Sequence, residues 1–480
     1  MAELDRFPPT DWLWRDYKRN AAWYSGEPSE LRKVAPRKSF WGSKEDIKLH
    51  VPLAADISNM SAALIFADSP TITVDDERTQ ERIDEIMQKA DVFNVLLRGA
   101  ELASVYGGVF LKWYWDVANG FPRLAAVPAD AGMPEWQGGK LTRITLWQIV
   151  RTDEQSGTVW RLEEEYTGDG HILSKLRKGD AGNLGSVAPL DAIPETAGIS
   201  ADANSGAGVL LAVYVPNILP NRQKPYSNFG RSDYAGLYGL LDALDEAYSG
   251  IQRESRFTKT TVIVPAEYLR RRDDIFSASS GETGAPRWEF SNETGVFTAL
   301  DIDSRNTASP INVVNPEVRA ASRLSVCENL VRRILALSGY APQSAGLDIE
   351  GSAESGTALT IRERKSMRTT ETKKTYWWHA LQAIMRAGLL LDAAVFHSGV
   401  DPDAELSIEM PSNSQPDIEQ MAQTLEQLER AGAVSTISKV RLLHPDWAEE
   451  KLAEEAALIR QERGMTGESP LDIMLGDVEK

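Results

Sequence analysis

Two long amphipathic helices bracketing a β-rich insert constrain this chain more than any other feature. Leu237, Leu240, Leu241, Leu244, Tyr248 and Ile251 recur at helical spacing through residues 232–257, with Ser232 or Asp233 standing where an N-cap is favoured. At 1.5 Å per residue that helix runs roughly 39 Å. After Pro316, Val318, Ala321, Leu324, Leu330, Val331, Ile334 and Leu335 repeat the pattern up to Gly339. Between them lie the β-prone runs TTVIVP, RWEF and GVFTAL, separated by Gly- and Ser-rich turns. So short an insert leaves too little chain to cover both apolar stripes, and neighbouring copies are expected to supply the cover.

Upstream, helices are expected over 10–25, 53–66 and 77–105, the last stopping where Gly107 and Gly108 break the pattern. From Val109 to about Lys178 the runs VFLKWYW, KLTRITLWQIV and TVWRLEEEYT alternate with the turn clusters VANG, WQGG, DEQSG and TGDG, the texture of an antiparallel meander. Residues 179–208, rich in Gly, Ala, Ser and Asp, read as a long mobile loop before one more strand, GVLLAVYVP. Helices over 417–430 and 446–463 end the readable part. The fold class is α+β.

A length of 480 residues suits several domains, and 42% apolar with 25% charged residues is ordinary for a globular protein. The net charge of −18 argues against a chain whose main task is gripping nucleic acid, since such affinity comes from cations displacing phosphate counterions. Catalytic signatures are missing. There is no G-x-x-x-x-G-K-[ST], no H-E-x-x-H, and the five histidines with the single Cys327 offer no zinc spacing. GRSDY at Gly230 lacks the second glycine of a nucleophile elbow, and Asp242, Asp245 and Glu246 read as the solvated face of their helix or as partners for a neighbouring subunit. No catalytic residue, metal site or cofactor is assigned, and an enzyme is not expected. The amino terminus lacks a signal-peptide pattern, and the apolar run AIMRAGLLLDAAVF is interrupted by Arg386 and Asp392 and too short to span a bilayer. A soluble intracellular protein with no membrane partner is expected.

One stretch departs from the acidic balance. SGTALTIRERKSMRTTETKKTYWWHALQAI sets Arg362, Arg364, Lys365, Arg368, Lys373 and Lys374 against Glu363 and Glu371. Its first half, to Thr375, is polar almost all round and reads as lying in solvent or against another subunit, while Tyr376, Trp377, Ala380, Leu381 and Ile384 form a core stripe. The six cations are expected to meet either acidic surfaces of an adjacent subunit or DNA. An alternative function follows from the second option: a non-enzymatic DNA-binding or recombination factor working through residues 362–374.

Six strings, in order, carry a resemblance: NAAWYSGEP, LAADISNMSAALIFADSP, LLRGAELASVYGGVFLKWYWD, GRSDYAGLYGLLDALDEAYS, SGTALTIRERK and LHPDWAEEKLAEEAALIRQE. Together they make the chain resemble the phage portal proteins of the SPP1-type family. The resemblance implies a ring of about twelve subunits at one capsid vertex of the virion, assembled in the host cytoplasm. Double-stranded DNA would pass through its channel in packaging and ejection, and the ring would meet a terminase motor, a head-tail adaptor, capsid and scaffold proteins. It further implies a wing over 1–230 and 355–445 (the latter beginning with a long kinked helix), stem helices over 231–257 and 315–339, a clip over 258–314, a tunnel loop over 340–354, and a crown with C-terminal tail over 446–480. In that frame Gln343, Leu347, Asp348, Ile349 and Glu350 would contact DNA, and Leu237, Leu240, Leu241, Leu244, Tyr248, Leu330 and Ile334 would pack the stem.

Overall fold

In the computed structural model the described residues are 11–34, 49–115, 120–257, 261–265, 296–300, 312–314, 320–347, 356–411, 425–431, 434–443, 447 and 449–462. The chain divides into two units, Met1–Pro411 and Ser412–Lys480. Helices and antiparallel sheets mix as expected for α+β.

In the first unit α1 (Asp11–Ser25) and α2 (Pro28–Val34) precede α3 (Leu53–Ile65), and β1 (Thr71–Thr73) leads to α4 (Glu77–Lys89) and α5 (Val92–Tyr106). The single helix expected over 77–105 is therefore two. Asp91 takes φ 51°, a left-handed geometry that cannot continue a helix. Asp76 caps α4, accepting from the Thr79 amide at 2.9 Å. At the other end α5 stops at Gly107, where φ is +82° and a Cβ would stand 2.8 Å from the Gly230 carbonyl oxygen, so both conformation and space require glycine.

β2 (Gly108–Tyr114) pairs antiparallel with β3 (Arg123–Pro128). β4 (Gly132–Gln137), β5 (Lys140–Asp153), β6 (Thr158–Thr167), β7 (His171–Asp180) and β8 (Asn183–Ala188) then follow as the expected meander, with β9 (Asp202–Asn204) added to β7. Ile144, Tyr166 and Ile172 lie side by side across β5, β6 and β7 and are buried, which fixes the register by putting one face of the sheet on the core. β10 (Ala212–Pro216) closes the other side of β2. The long loop expected over 179–208 is corrected here: β8 and β9 lie within it. Two apolar anchors hold it, Leu184 and Ile193, both buried, and the Thr196 hydroxyl donates to the Leu190 carbonyl at 2.5 Å.

α6 (Tyr238–Phe257) and α7 (Ala320–Ser338) pack on each other and bracket a three-stranded sheet of β11 (Thr261–Pro265), β12 (Val296–Leu300) and β13 (Asn312–Val314). β11 is central, parallel to β12 and antiparallel to β13. α6 begins six residues later than expected, because Gly236 takes φ +85° and interrupts any earlier helix. Ser232 and Asp233 therefore do not cap it. α7 stops at Gly339, φ +105°, as its sequence indicates.

α8 (Gly356–Leu391) is 36 residues long, roughly 54 Å. It ends in a π turn, Asp392–Phe396, and β14 (Ser407–Glu409) pairs with β1. By length and composition Glu363–Phe396 is long and apolar enough to cross a bilayer, contrary to the sequence expectation. Here Trp377, Leu381, Ile384, Met385, Leu389 and Leu391 are instead buried inside the protein.

Two apolar cores result. The larger joins α4, α5, the β2 sheet and the second half of α8 around Phe66, Leu96, Phe110, Trp113 and Trp377. The smaller joins α1, α3, α6 and α7 around Trp23, Ile57, Tyr234, Leu241, Leu244 and Ile334, and includes the buried Cys327. In the second unit α9 (Thr436–Leu443) and α10 (Glu449–Glu462) pack through Val440, Leu452 and Ala456. Of the helix expected over 417–430, residues 425–430 are helical and the rest lie outside the described residues.

Candidate functional site

A polar hub sits where α3, α5, α8 and the chain ends flanking α6 and α7 converge. Lys373, on α8, is 1% exposed and Asp233, just before α6, 3%. The Lys373 ammonium donates to Asp233 Oδ2 at 2.6 Å, to Ser61 Oγ of α3 at 2.7 Å and to the Tyr340 hydroxyl at 2.9 Å. With Asp233 Oδ1 at 2.8 Å as well, every N–H of the ammonium has an acceptor. The Asp233 carboxylate also accepts from Ser104 Oγ of α5 at 2.7 Å, Asn217 Nδ2 at 2.8 Å and the Tyr340 hydroxyl at 3.1 Å. This degree of satisfaction lets two charges persist out of water, since the desolvation penalty of a buried pair is offset only by close geometry and further hydrogen bonds. Burial lowers the Lys373 pKa, opposed by the Asp233 charge beside it.

The hub fastens both ends of the α6/α7 pair to the body. Asp233 lies before α6 and Tyr340 after α7. α8 grips the end of α7 at three further points: the Lys365 ammonium donates to the Ala336 carbonyl, Thr369 Oγ1 donates to the Gly339 carbonyl at 2.7 Å, and Ser366 Oγ accepts from the Ala341 amide at 2.8 Å. Further along α6, buried Asp245 accepts from His50 Nδ1 at 3.0 Å and from the Val51 amide at 2.9 Å. Asp245 is therefore not on a solvated face, and it ties the strand-like approach to α3 onto α6.

The helix pair also carries exposed apolar side chains. Tyr248 is 45% exposed, Leu324 49% and Val326 52%, with Leu337 also exposed. These apolar side chains are about half exposed.

The family model described as phage portal protein, SPP1 Gp6-like, matches residues 14–469. The chain belongs to this family. Membership makes it a portal-type protein of the phage capsid, within the business of head-tail connection and genome packaging. No curated protein matches the chain.

The portal chain distributes the six cations of the basic helix among different environments. Arg364, Lys365 and Arg368 are exposed, and Lys365 binds α7 as above. Arg362 lies on α8, with its side chain outside the described residues. Lys373 and Lys374 correct the expectation of a single outward cluster: Lys373 belongs to the hub, and Lys374, also buried, donates to the Pro411 carbonyl at 2.6 Å. The reason is helical spacing. Ser366, Thr370, Lys373, Lys374 and Trp377 share one inward face, all buried, so the first half of α8 is not polar all round toward solvent.

Among the residues expected to pack the stem, Leu237, Leu241, Leu244 and Ile334 are buried, and Leu240 and Leu330 partly so. Of the expected loop contacts, Gln343 lies on the 3-10 turn Pro342–Ala345, and Leu347 packs against the smaller core. Asp348, Ile349 and Glu350 lie outside the described residues. Sequence reasoning missed Asp233, Ser61, Ser104, Asn217 and Tyr340. The one available signal was the polar stripe at positions 366, 370, 373 and 374, helical in period but without apolar character.

Proposed function

We propose that the chain is the repeating subunit of a ring of about twelve copies at one capsid vertex, and that the ring is the conduit for double-stranded DNA in packaging and ejection. In this reading α6 and α7 form the stem, β11 to β13 the clip facing the packaging motor and the head-tail adaptor, and residues 340–354 the loop nearest the DNA. Residues 1–230 and 355–445 form the wing, and 446–480 the crown and tail. The carrying observation is the set of exposed apolar side chains on the α6/α7 pair, Tyr248, Leu324, Val326 and Leu337, in a chain that belongs to the portal family.

Two properties support the conduit. The chain carries −18, so a ring of copies holds few spare cations for phosphates, and a cargo that must slide is not gripped. The loop sequence, with Gln343, Leu347, Asp348, Ile349 and Glu350, contains no Lys or Arg and suits loose steric contact. In this reading the exposed Arg364 and Arg368 meet acidic surfaces of the adjacent subunit. A reconstituted packaging assay with residues 343–350 shortened tests the loop assignment. The expected result is intact rings with impaired DNA uptake, and undiminished uptake overturns it.

A further inference from the structure

We infer that the Lys373–Asp233 hub is a lock for α8, holding the first half of that helix down along a seam between two apolar cores. The seam is visible on the helices that cross it. On α3, Ala54 and Ile57 belong to the smaller core and Ala62 and Ile65 to the larger, with Ser58 and Ser61 between them. On α5, Ala100 and Ala103 belong to the larger core and Val105 to the smaller, and Ser104 stands between. The serines of both helices point at the hub: Ser61 accepts from Lys373, and Ser104 donates to Asp233.

The first half of α8 lies against this seam with no apolar side chain buried among its described residues before Trp377. Beyond its continuity with the core-packed second half, that half has little apolar burial to hold it down. Discrete hydrogen bonds do so. Lys373 meets Ser61, Asp233 and Tyr340, Ser366 meets the Ala341 amide, and Thr369 meets the Gly339 carbonyl. Peeling this half away from the seam breaks all of them together, while Trp377 to Leu391 keep the second half in the larger core. The lock therefore couples α8 from 363 to 376 to the segment 338–347, whose Tyr340 and Leu347 belong to the smaller core. This conclusion rests on the fold and does not depend on ring assembly.

Amide hydrogen exchange on the full-length chain tests it, with Ser61→Ala and Ser366→Ala as variants. Each removes one hydroxyl, the first from α3 and the second from α8. The expected result for both is about tenfold faster exchange across 363–376 and 338–347 together, with α4 and β2 unchanged. Faster exchange confined to α3 in Ser61→Ala, a uniform rise through both cores, or no change in α8 overturns the lock.

Discussion

Lys373 and Asp233, 140 residues apart in sequence, meet through contacts of 2.6 and 2.8 Å with both side chains closed off from water. The pair joins the start of α6, the end of α7 and the middle of α8 in one place. An ion pair of this kind adds little over a well-packed apolar replacement, yet losing one partner strands a buried charge.

Lys373→Met is accordingly expected to destabilise the first unit by about 3–5 kcal/mol, and adding Asp233→Asn, which removes the stranded charge while keeping an oxygen acceptor for Ser104, Asn217 and Tyr340, to recover part of that loss. Urea denaturation of the single and double variants gives the coupling directly. Equal instability of the two variants contradicts it.

Asp130 offers a pH-dependent effect of known sign. It lines a cleft of about 550 Å³ with Trp14, Lys112 and Trp147, and burial pushes its carboxyl from 3.8 up to about 6, against the hydrogen bond from Tyr106. A raised carboxyl contributes stability below its unfolded value and loses it as pH rises through the folded value. Asp130→Asn is thus expected to be more stable at pH 8 by on the order of 1–3 kcal/mol, converging with the parent near pH 4. Thermal melts across that range measure the convergence.

At the alkaline end, burial raises Tyr17, Tyr166, Tyr234 and Tyr340 well above the ordinary 10.0. Their contribution is fully present below pH 10.0, their unfolded value, and is lost as pH climbs toward the raised folded values. Tyrosinate absorbance from these rings is expected to appear together with the loss of circular dichroism. Ionisation of the whole tyrosine complement before any unfolding contradicts their burial.

Arg364 and Arg368 are exposed on α8 and are proposed to meet the neighbouring subunit. Arg364→Glu with Arg368→Glu is expected to leave the fold intact and weaken assembly, read by sedimentation. Normal assembly with failed DNA packaging assigns these arginines to DNA instead.

Much of this architecture is legible in the sequence because it follows apolar period. The stripes of α6 and α7 and the alternation of β5 to β7 mark elements that exist, with ends displaced where a backbone angle intervenes, as at Asp91 and Gly236. The hub is not legible in the same way. A lysine on a polar helix is ordinarily solvated, and only the meeting of Ser61, Ser104, Asp233 and Tyr340 around it makes burial possible. The ordered course of β8 and β9 was hidden similarly, because two apolar anchors suffice to hold a segment of loop-like composition.

Electron microscopy of the purified chain in negative stain, over a range of concentration and salt, tests the central claim most directly. Closed rings of about a dozen subunits around a central hole are the predicted result. Compact single subunits under every condition, or open filaments in place of closed rings, contradict it.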